Sequence, residues 1–433
     1  MSLPSLSIDI ILSILVLIPA RVLIKLLVAC KSWCTIIKSQ DFIKEHLETS
    51  FATGKNYILY VPVHSKPEKT FTLLNHKNFQ YESELRVPFD IPGMLNCTVV
   101  NSVNGLICLT NNKCFGHTIY LTNPSINKYL TLPPSSIYRD EFDLQNIQLS
   151  LGFGYHEKTN DFKVLRIGYI QHDDYVWLSE DDDEYPSTTP ERHHFEPWVE
   201  VFSLNTKVWK MLKLGPNFSY EVHDMFSGVV VNGCLHLKVV NTYEDEIVLL
   251  SFHMEEETFQ EIKYPKFHDE AGTHDLTECT CIGEFKGKLG LFAFCPMFDN
   301  VGRQPCHFWI MEEYGDKNSW TCHATFMLER IIRTPLTFTK NGEIIMQDRR
   351  EKIFCYNFNN NQLIDLHIQG EGRDLNFVNF TDSLVLVDLY DTPIVEERNF
   401  PASGVGDFDA YMHVEQVNMA HKDDPPGDIP KNI

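Results

Sequence analysis

The 433-residue sequence lacks the short motifs that mark common catalytic sites. It contains no Gly-x-Ser-x-Gly, no His-Glu-x-x-His and no P-loop lysine motif, so none of the sites that those motifs build is predicted. Gly152-Phe153-Gly154 is not a phosphate-binding loop, because the third glycine and the following helix are missing. The 59 acidic residues offer many carboxylate pairs of the kind a hydrolase uses, but nothing in the sequence selects one pair.

The chain also lacks an uninterrupted apolar run near the roughly 20 residues that a membrane-spanning helix requires. Ile10–Ile18 has the length of the apolar core of a secretory signal, but Asp9 stands at its start and no Lys or Arg precedes it. We therefore expect no membrane association and a cytoplasmic location, with the nucleus as a second compartment. The sequons at Asn96, Asn217 and Asn379 would matter only on the secretory route.

No Cys-x-x-Cys pair occurs among the 12 cysteines, which are scattered along the chain. The cysteines are too sparse for the disulfide framework of a small secreted domain, so reduced and buried thiols are expected. Cys279-Thr280-Cys281 and Cys306-His307 are the only close groupings, and neither has the four-ligand spacing of a structural zinc site. The sequence predicts no metal and no cofactor.

What is present is a strongly apolar stretch in the first fifty residues, interrupted by Pro19. Proline disfavours helix at the residue before it and is tolerated at a helix start, so one helix should end near Ile18 and the next should begin near Ala20. In the second helix, apolar residues recur at spacings of three and four: Val22, Leu23, Leu26, Leu27 and Cys30. This spacing predicts one apolar face, and a segment so short needs a partner to bury it.

These residues resemble a plant F-box over roughly positions 5–48. The resemblance is carried by Ile14-Leu15, Ile18-Pro19, Cys30-Lys31-Ser32-Trp33, Phe42 and His46-Leu47. The chain departs from the family at Ser7, where proline is usual, and at Val16-Leu17, where a polar pair is usual. The resemblance implies that the helices dock on a Skp-type adaptor, which joins them to a cullin scaffold.

The docking face is predicted from the apolar family positions, on the argument that so short a segment has little core of its own. It comprises Leu15, Ile18, Pro19, Leu23, Leu26, Val28 and Trp33. Large apolar anchors of this kind often dominate an interface, each costing about 2 kcal/mol or more when truncated.

From about residue 55 to 390 the pattern changes to short apolar strands separated by turn signals, which predicts an all-β body. Positive-φ dipeptides recur between strands: Asn104-Gly105, Asn232-Gly233, Lys286-Gly287 and Asn341-Gly342. About six such units are predicted, stacked as a kelch-like β-propeller that lacks the Gly-Gly doublet of true kelch repeats. Phe377–Leu389, including Leu384–Val387, is read as a last strand that closes the ring beside the first blade.

The body resembles the F-box-associated interaction domain of plants. The matching segments are Asn104–Cys108, Asn123-Pro124-Ser125, Leu151–Tyr155, Thr159–Val164 and Val199–Leu204. The body also resembles S-locus F-box and S-locus F-box-like proteins, and many relatives of unknown target share the same motifs. Gly152 and Gly154 are interpreted as turn formers, and Trp209 and Trp320 as packing between blades.

Acidic charge belongs to the body and tail. The formal net charge is −22, while residues 1–50 carry five basic and four acidic side chains and so about +1. One run has no base among its acids: Asp173, Asp174, Glu180, Asp181, Asp182, Asp183 and Glu184. Such a run is either a solvated segment or a surface that attracts a basic partner, and its sign excludes nucleic acid as a direct ligand.

The sequence is therefore interpreted as a mainly β protein with an F-box in residues 1–50, a propeller in 51–390 and an acidic, disordered tail in 391–433. The predicted function is a non-catalytic substrate-recognition subunit of a Skp-cullin-F-box ubiquitin ligase. The S-locus resemblance implies a basic style ribonuclease as target. The alternatives are an interaction scaffold that no longer binds the adaptor, and a secreted propeller enzyme or lectin.

Overall fold

The computed structural model describes residues 7–61, 70–87, 97–111, 118–134, 147–171, 195–215, 218–222, 228–244, 246–265, 280–295, 302–370 and 375–388. Met1–Tyr390 forms one compact unit and Asp391–Ile433 a second. All of the second unit, and with it the predicted disordered tail, lies outside the described residues.

Four helices open the chain: α1 (Ile8–Leu15), α2 (Ala20–Leu26), α3 (Lys31–Ile37) and α4 (Gln40–Ala52). The helix break predicted at Pro19 is confirmed, since Pro19 is the N-cap of α2. Ser7 caps α1, because its side-chain oxygen accepts a hydrogen bond from the backbone N–H of Ile10. The serine that replaces the family proline is therefore compatible with a helix start.

Six antiparallel sheets follow, and the predicted number of blades is confirmed. The first sheet contains β1 (Asn56–Val61), β2 (Thr70–Asn75) and β3 (Tyr81–Arg86). The second contains β4 (Cys97–Val103), β5 (Leu106–Asn111), β6 (Ile119–Asn123) and β7 (Lys128–Thr131). The third contains β8 (Ile147–His156), β9 (Asp161–Gln171), β10 (Phe195–Ser203) and β11 (Val208–Leu212).

The fourth sheet has β12 (Tyr220–Val222), β13 (Val229–Val231), β14 (Cys234–Asn241), β15 (Glu246–His253) and β16 (Thr258–Ile262). The fifth has β17 (Thr280–Phe285), β18 (Lys288–Phe294), β19 (Gln304–Met311) and β20 (Trp320–Leu328). The sixth has β21 (Ile332–Phe338), β22 (Glu343–Asp348), β23 (Lys352–Asn357) and β24 (Gln362–Gln369). A final strand, β25 (Asn376–Thr381), belongs to the first sheet.

The predicted turn dipeptides connect the first strands of four blades. In three of them both residues have positive φ, as at Asn104 (53°) and Gly105 (78°) between β4 and β5. Asn341-Gly342 differs, because only Gly342 has positive φ and the pair ends a four-residue turn from Thr339. The glycine requirement was thus predicted correctly at all four turns, and the two-residue length at three.

Ring closure beside the first blade is confirmed, since β25 pairs with β1 along its whole length, from Asn376 opposite Val61 to Thr381 opposite Asn56. The prediction that Leu384–Val387 belong to the closing strand is wrong, because β25 ends at Thr381. Leu384 and Val387 are instead fully buried in one apolar cluster with residues of α1–α4.

Gly152 and Gly154 are strand residues of β8, so their interpretation as turn formers is wrong. A Cβ at Gly152 would lie 2.1 Å from Leu235 Cδ2 of the next blade, and one at Gly154 would lie 2.7 Å from Met254 Sδ. Glycine is needed here because neighbouring blades approach closely. Trp209 and Trp320 do pack between blades, and each indole N–H donates to a carbonyl of the preceding blade, Pro133 and Lys263 respectively.

Candidate functional site

The helices lie on one side of the ring, against the turns that join first and second strands of blades. Asn160, just before β9, donates to the side-chain oxygen of Gln40 in α4. On another blade the ammonium of Lys340 lies 4.0 Å from the ring centre of Phe51 in α4. Leu15, Leu23 and Ile37 share an apolar cluster with side chains of the second and third blades. The partner that the short helices need is the propeller of the same chain.

This packing divides the seven predicted docking residues into buried, partly buried and exposed groups. Leu15 and Leu23 are 3% and 0% exposed, so the expectation that they form a free surface is wrong: their side chains fill the junction with the ring. Three others are partly buried against the same cluster: Ile18, Leu26 and Trp33. Only Pro19 and Val28 are exposed, Val28 to 89%.

A different apolar set faces outward from α1 and the turn after it. Ile10, Ile14 and Leu17 are 48%, 50% and 54% exposed. Their spacing of four and three places them on one side of the helix, opposite Leu15. We call these three residues the outer stripe. The sequence contained this signal, since two apolar sets with helical spacing run along α1, but only the ring shows which set is covered.

The turn between α1 and α2 is held by three side chains from other elements. Lys55 Nζ donates to the carbonyl of Leu17 at 2.7 Å, and His46 Nε2 lies 2.9 Å from the carbonyl of Ile18. The carboxylate of Asp382 accepts from the backbone N–H of Ala20 at 2.9 Å. Burial lowers the pKa of His46, which is 0% exposed, so the neutral ring donates through Nε2.

The opposite side of the ring is reached along β9 and β10. β9 starts at Asp161, beside the contact with α4, and its eleven residues extend roughly 33 Å to Gln171, opposite Phe195 of β10. The predicted target-binding acids Asp173, Asp174, Glu180, Asp181, Asp182, Asp183 and Glu184 lie between these two strand ends in sequence, outside the described residues. The strand ends that flank them are on the side of the ring away from the helices.

A cavity of about 790 Å³ lies between the inner strands of the ring. The charged side chains that line it are Lys238, Glu284, Arg333 and Lys340. Arg333 Nη1 lies 3.0 Å from Glu351 Oε1, which offsets its charge, and the Lys340 ammonium lies over the ring of Phe51 in a cation–π contact. This lining does not identify a reaction.

Metal and thiol chemistry find no support among the described residues. No three of their His, Cys, Asp and Glu side chains are grouped as a metal site requires. The nine cysteines whose side chains the structure describes are all free. Burial raises the pKa of the thiols of Cys108, Cys306 and Cys355 well above the usual range, which makes them poor nucleophiles. In the part of the chain described here, no helix has the length and apolar character to span a bilayer.

Comparison with known proteins agrees with this geometry. Residues 57–388 match the family model of the F-box associated beta propeller domain. The chain is similar to three proteins of Arabidopsis thaliana. F-box protein At3g07870 is 25% identical over 79% of this chain and 78% of its own length. F-box/kelch-repeat protein At3g23880 is 22% identical over 80% and 86%. F-box protein CPR1 is 23% identical over 87% and 88%.

The family model covers the whole ring, from β1 to the residues after β25, and the relatives extend the similarity beyond it. The four helices before the ring occupy the place and carry the residues of an F-box. The chain belongs to the plant F-box proteins that carry an F-box-associated β-propeller domain.

Proposed function

We propose that this chain is a non-catalytic substrate receptor of a Skp-cullin-F-box ubiquitin ligase. Membership of the F-box family implies partnership with a Skp-type adaptor, a cullin and a protein target. The observation that carries the proposal for this chain is the outer stripe, Ile10, Ile14 and Leu17, which leaves three large apolar side chains about half exposed on one side of α1. An exposed apolar stripe of this kind is typical of an interface.

The adaptor binds the outer stripe, and Pro19 and Val28 extend the contact. Leu15 and Leu23 contribute indirectly, because they hold the helices on the ring. Ile18, Leu26 and Trp33 are partly exposed and partly packed on the ring, so they contribute both to adaptor binding and to the attachment of the helices.

The target binds on the side of the ring away from the helices, where β9 ends and β10 begins. This arrangement leaves the adaptor and the target on separate surfaces. Holding a target lysine near the conjugating enzyme turns ubiquitin transfer into an effectively intramolecular reaction, so no side chain of the receptor needs to enter the chemistry.

The target is a basic protein, because residues 51–433 carry the whole of the acidic excess. Complementary charge raises the rate of encounter and disfavours acidic competitors. A style ribonuclease is the specific target that the S-locus resemblance implies. The charge argument supports a basic target in general.

Calorimetric titration of the full chain with a purified Skp-type adaptor tests the proposal. We expect saturable one-to-one binding that Ile10→Asp/Ile14→Asp abolishes, because two carboxylates would be placed in the interface. Tyr243→Asp is the matched control, since Tyr243 is also exposed, to 68%, but lies in the fourth blade. If the folded wild-type chain does not bind the adaptor, the receptor function is wrong and an adaptor-free scaffold replaces it.

A further inference from the structure

The strand that closes the ring leads directly into the contact with the F-box. At the end of β25, Thr381 Oγ1 donates to Asn56 Oδ1 of β1 at 2.8 Å. The next residue, Asp382, has its side chain turned to the helices and is 9% exposed. The last residue of the closing strand and the residue that contacts the F-box are therefore neighbours in the sequence.

Asp382 bonds to the turn that carries the end of the outer stripe. Its Oδ2 accepts from the N–H of Ala20, three residues after Leu17. Proline at position 19 has no N–H, so Ala20 is the first residue after the turn that can donate from its backbone. A buried N–H without an acceptor is costly, and among the described contacts Asp382 is the acceptor for this one.

Two neighbouring contacts restrain the same turn from the carbonyl side. Lys55 Nζ donates to Leu17 O and His46 Nε2 to Ile18 O. Lys55 also accepts a backbone bond, 3.4 Å long, from the N–H of Asp382. The α1–α2 turn, the chain between α4 and β1, and the residue after the closing strand thus form one connected hydrogen-bond network.

Attachment and orientation rest on different groups. Leu384, Leu386 and Val387 lie in the apolar cluster that holds the helices on the ring. Apolar packing is not directional, whereas a hydrogen bond constrains both distance and angle. Removing the Asp382 carboxylate leaves the apolar cluster intact but takes away the acceptor of the Ala20 N–H, so that among the described contacts the turn keeps those from Lys55 and His46.

We propose that Asp382 is a positioning residue, which fixes the direction of the outer stripe relative to the target-binding side of the ring. This proposal rests on the receptor function, because a fixed direction matters only if adaptor and target bind the same chain. A receptor with a loose turn would still bind both partners. It would present the target lysine over a wider range of positions, which lowers the effective concentration for transfer.

Pulsed electron spin resonance on the full chain tests the proposal. Spin labels are placed at Ser13→Cys in α1 and Tyr243→Cys in the fourth blade, both exposed, after every native cysteine that reacts with the label is replaced by serine. We expect one narrow distance distribution in the parent protein and a distribution about twofold broader in Asp382→Ala, since the turn gains local freedom. Asp382→Asn should restore the narrow distribution, because its amide oxygen can accept the same bond.

Asp388→Ala is the matched control: it removes the same charge from an exposed position six residues further on. If Asp382→Ala does not fold, Asp382→Ser takes its place, because serine is one bond shorter and lacks the Oδ2 that accepts from the Ala20 N–H. An unchanged distance distribution in a folded Asp382→Ala or Asp382→Ser variant would overturn the proposal. So would equal broadening in Asp388→Ala.

Adaptor titration of the unlabelled parent chain and of Asp382→Ala, with the native cysteines in place, separates this proposal from the receptor function. We expect Asp382→Ala to bind the adaptor with nearly the parent affinity, since it leaves the outer stripe exposed. Loss of adaptor binding by every protein, the parent included, would refute the receptor function while the distance data still report on the role of Asp382. Loss in Asp382→Ala alone would show that the residue supports binding itself, which contradicts a purely positioning role.

Discussion

Ile14 and Leu15 are adjacent in the chain but lie on opposite sides of α1: Ile14 is 50% exposed and Leu15 is 3% exposed. Leu15 packs into the cluster that joins the helices to the ring, and Ile14 belongs to the outer stripe. One helix therefore has a side committed to the fold and a side available to a partner.

Truncation at these two positions should have different effects on stability. Leu15→Ala leaves a cavity in the junction and should lower the free energy of unfolding by about 2–5 kcal/mol. Ile14→Ala removes an exposed side chain and should change it by no more than about 0.5 kcal/mol. Denaturant titration measures both, and equal losses would show that α1 is packed differently.

Gly152→Ala should destabilise the third blade, because its Cβ would overlap Leu235, which is 1% exposed and cannot move aside. Overpacking of this kind costs about 1–3 kcal/mol. Gly215→Ala is the control, since no atom lies within 4 Å of a Cβ there. The double variant Gly152→Ala/Leu235→Ala should recover part of the loss, and additive losses in the double-mutant cycle would refute the overlap.

Arg166 and Glu200 form an ion pair at 2.7 Å between β9 and β10, and both side chains are almost completely buried. Glu200→Ala leaves a buried cation and should cost about 3–5 kcal/mol of stability. Arg166→Met/Glu200→Leu removes both charges and should be more stable than Glu200→Ala. Thermal unfolding compares the melting temperatures of the two variants. A double variant that melts no higher than Glu200→Ala would contradict the cost assigned to the buried cation.

His236 makes stability depend on pH. Its ring is fully buried between Val229 O and Tyr314 OH, and burial lowers its pKa to about 4. The unfolded chain therefore binds a proton more readily than the folded chain below pH 6.5. Stability is complete above pH 6.5 and falls as the pH drops toward 4, by roughly 3 kcal/mol in total.

His236→Gln removes this titration, so melting temperatures recorded from pH 7 to pH 4 should fall less steeply for the variant. His46, whose pKa is also lowered by burial, contributes a slope of the same sign and remains in both proteins. Identical slopes for the variant and the wild-type chain would show that His236 is not held in its neutral form.

Local signals in the sequence predicted local structure well. Pro19 marked the break between α1 and α2, and the glycines of four turns marked the first hairpins of four blades, because these residues act through their own φ angles. Contacts between distant segments could not be predicted in this way. Glycine is needed at position 152 because Leu235 of another blade lies against it. Leu384 is apolar because it is buried against helices more than 300 residues earlier in the sequence.

The proposed adaptor surface could not be predicted for the same reason. Ile14 and Leu15 are equally apolar, and the spacing of residues along α1 permits either side to face out. The choice depends on where the propeller lies, which is a property of the whole chain. The acidic run of residues 173–184 was found from charge alone. The strand ends that flank it, Gln171 and Phe195, lie on the side of the ring away from the helices, and this position is what supports the proposed target-binding role.

Hydrogen–deuterium exchange of the full chain, with and without a Skp-type adaptor, shows whether the adaptor covers the outer stripe. We expect slower exchange in residues 8–28 on binding, where the outer stripe lies, and unchanged exchange in the β-strands of the ring. An absence of any change with the adaptor in excess, or protection confined to the ring, would contradict this expectation.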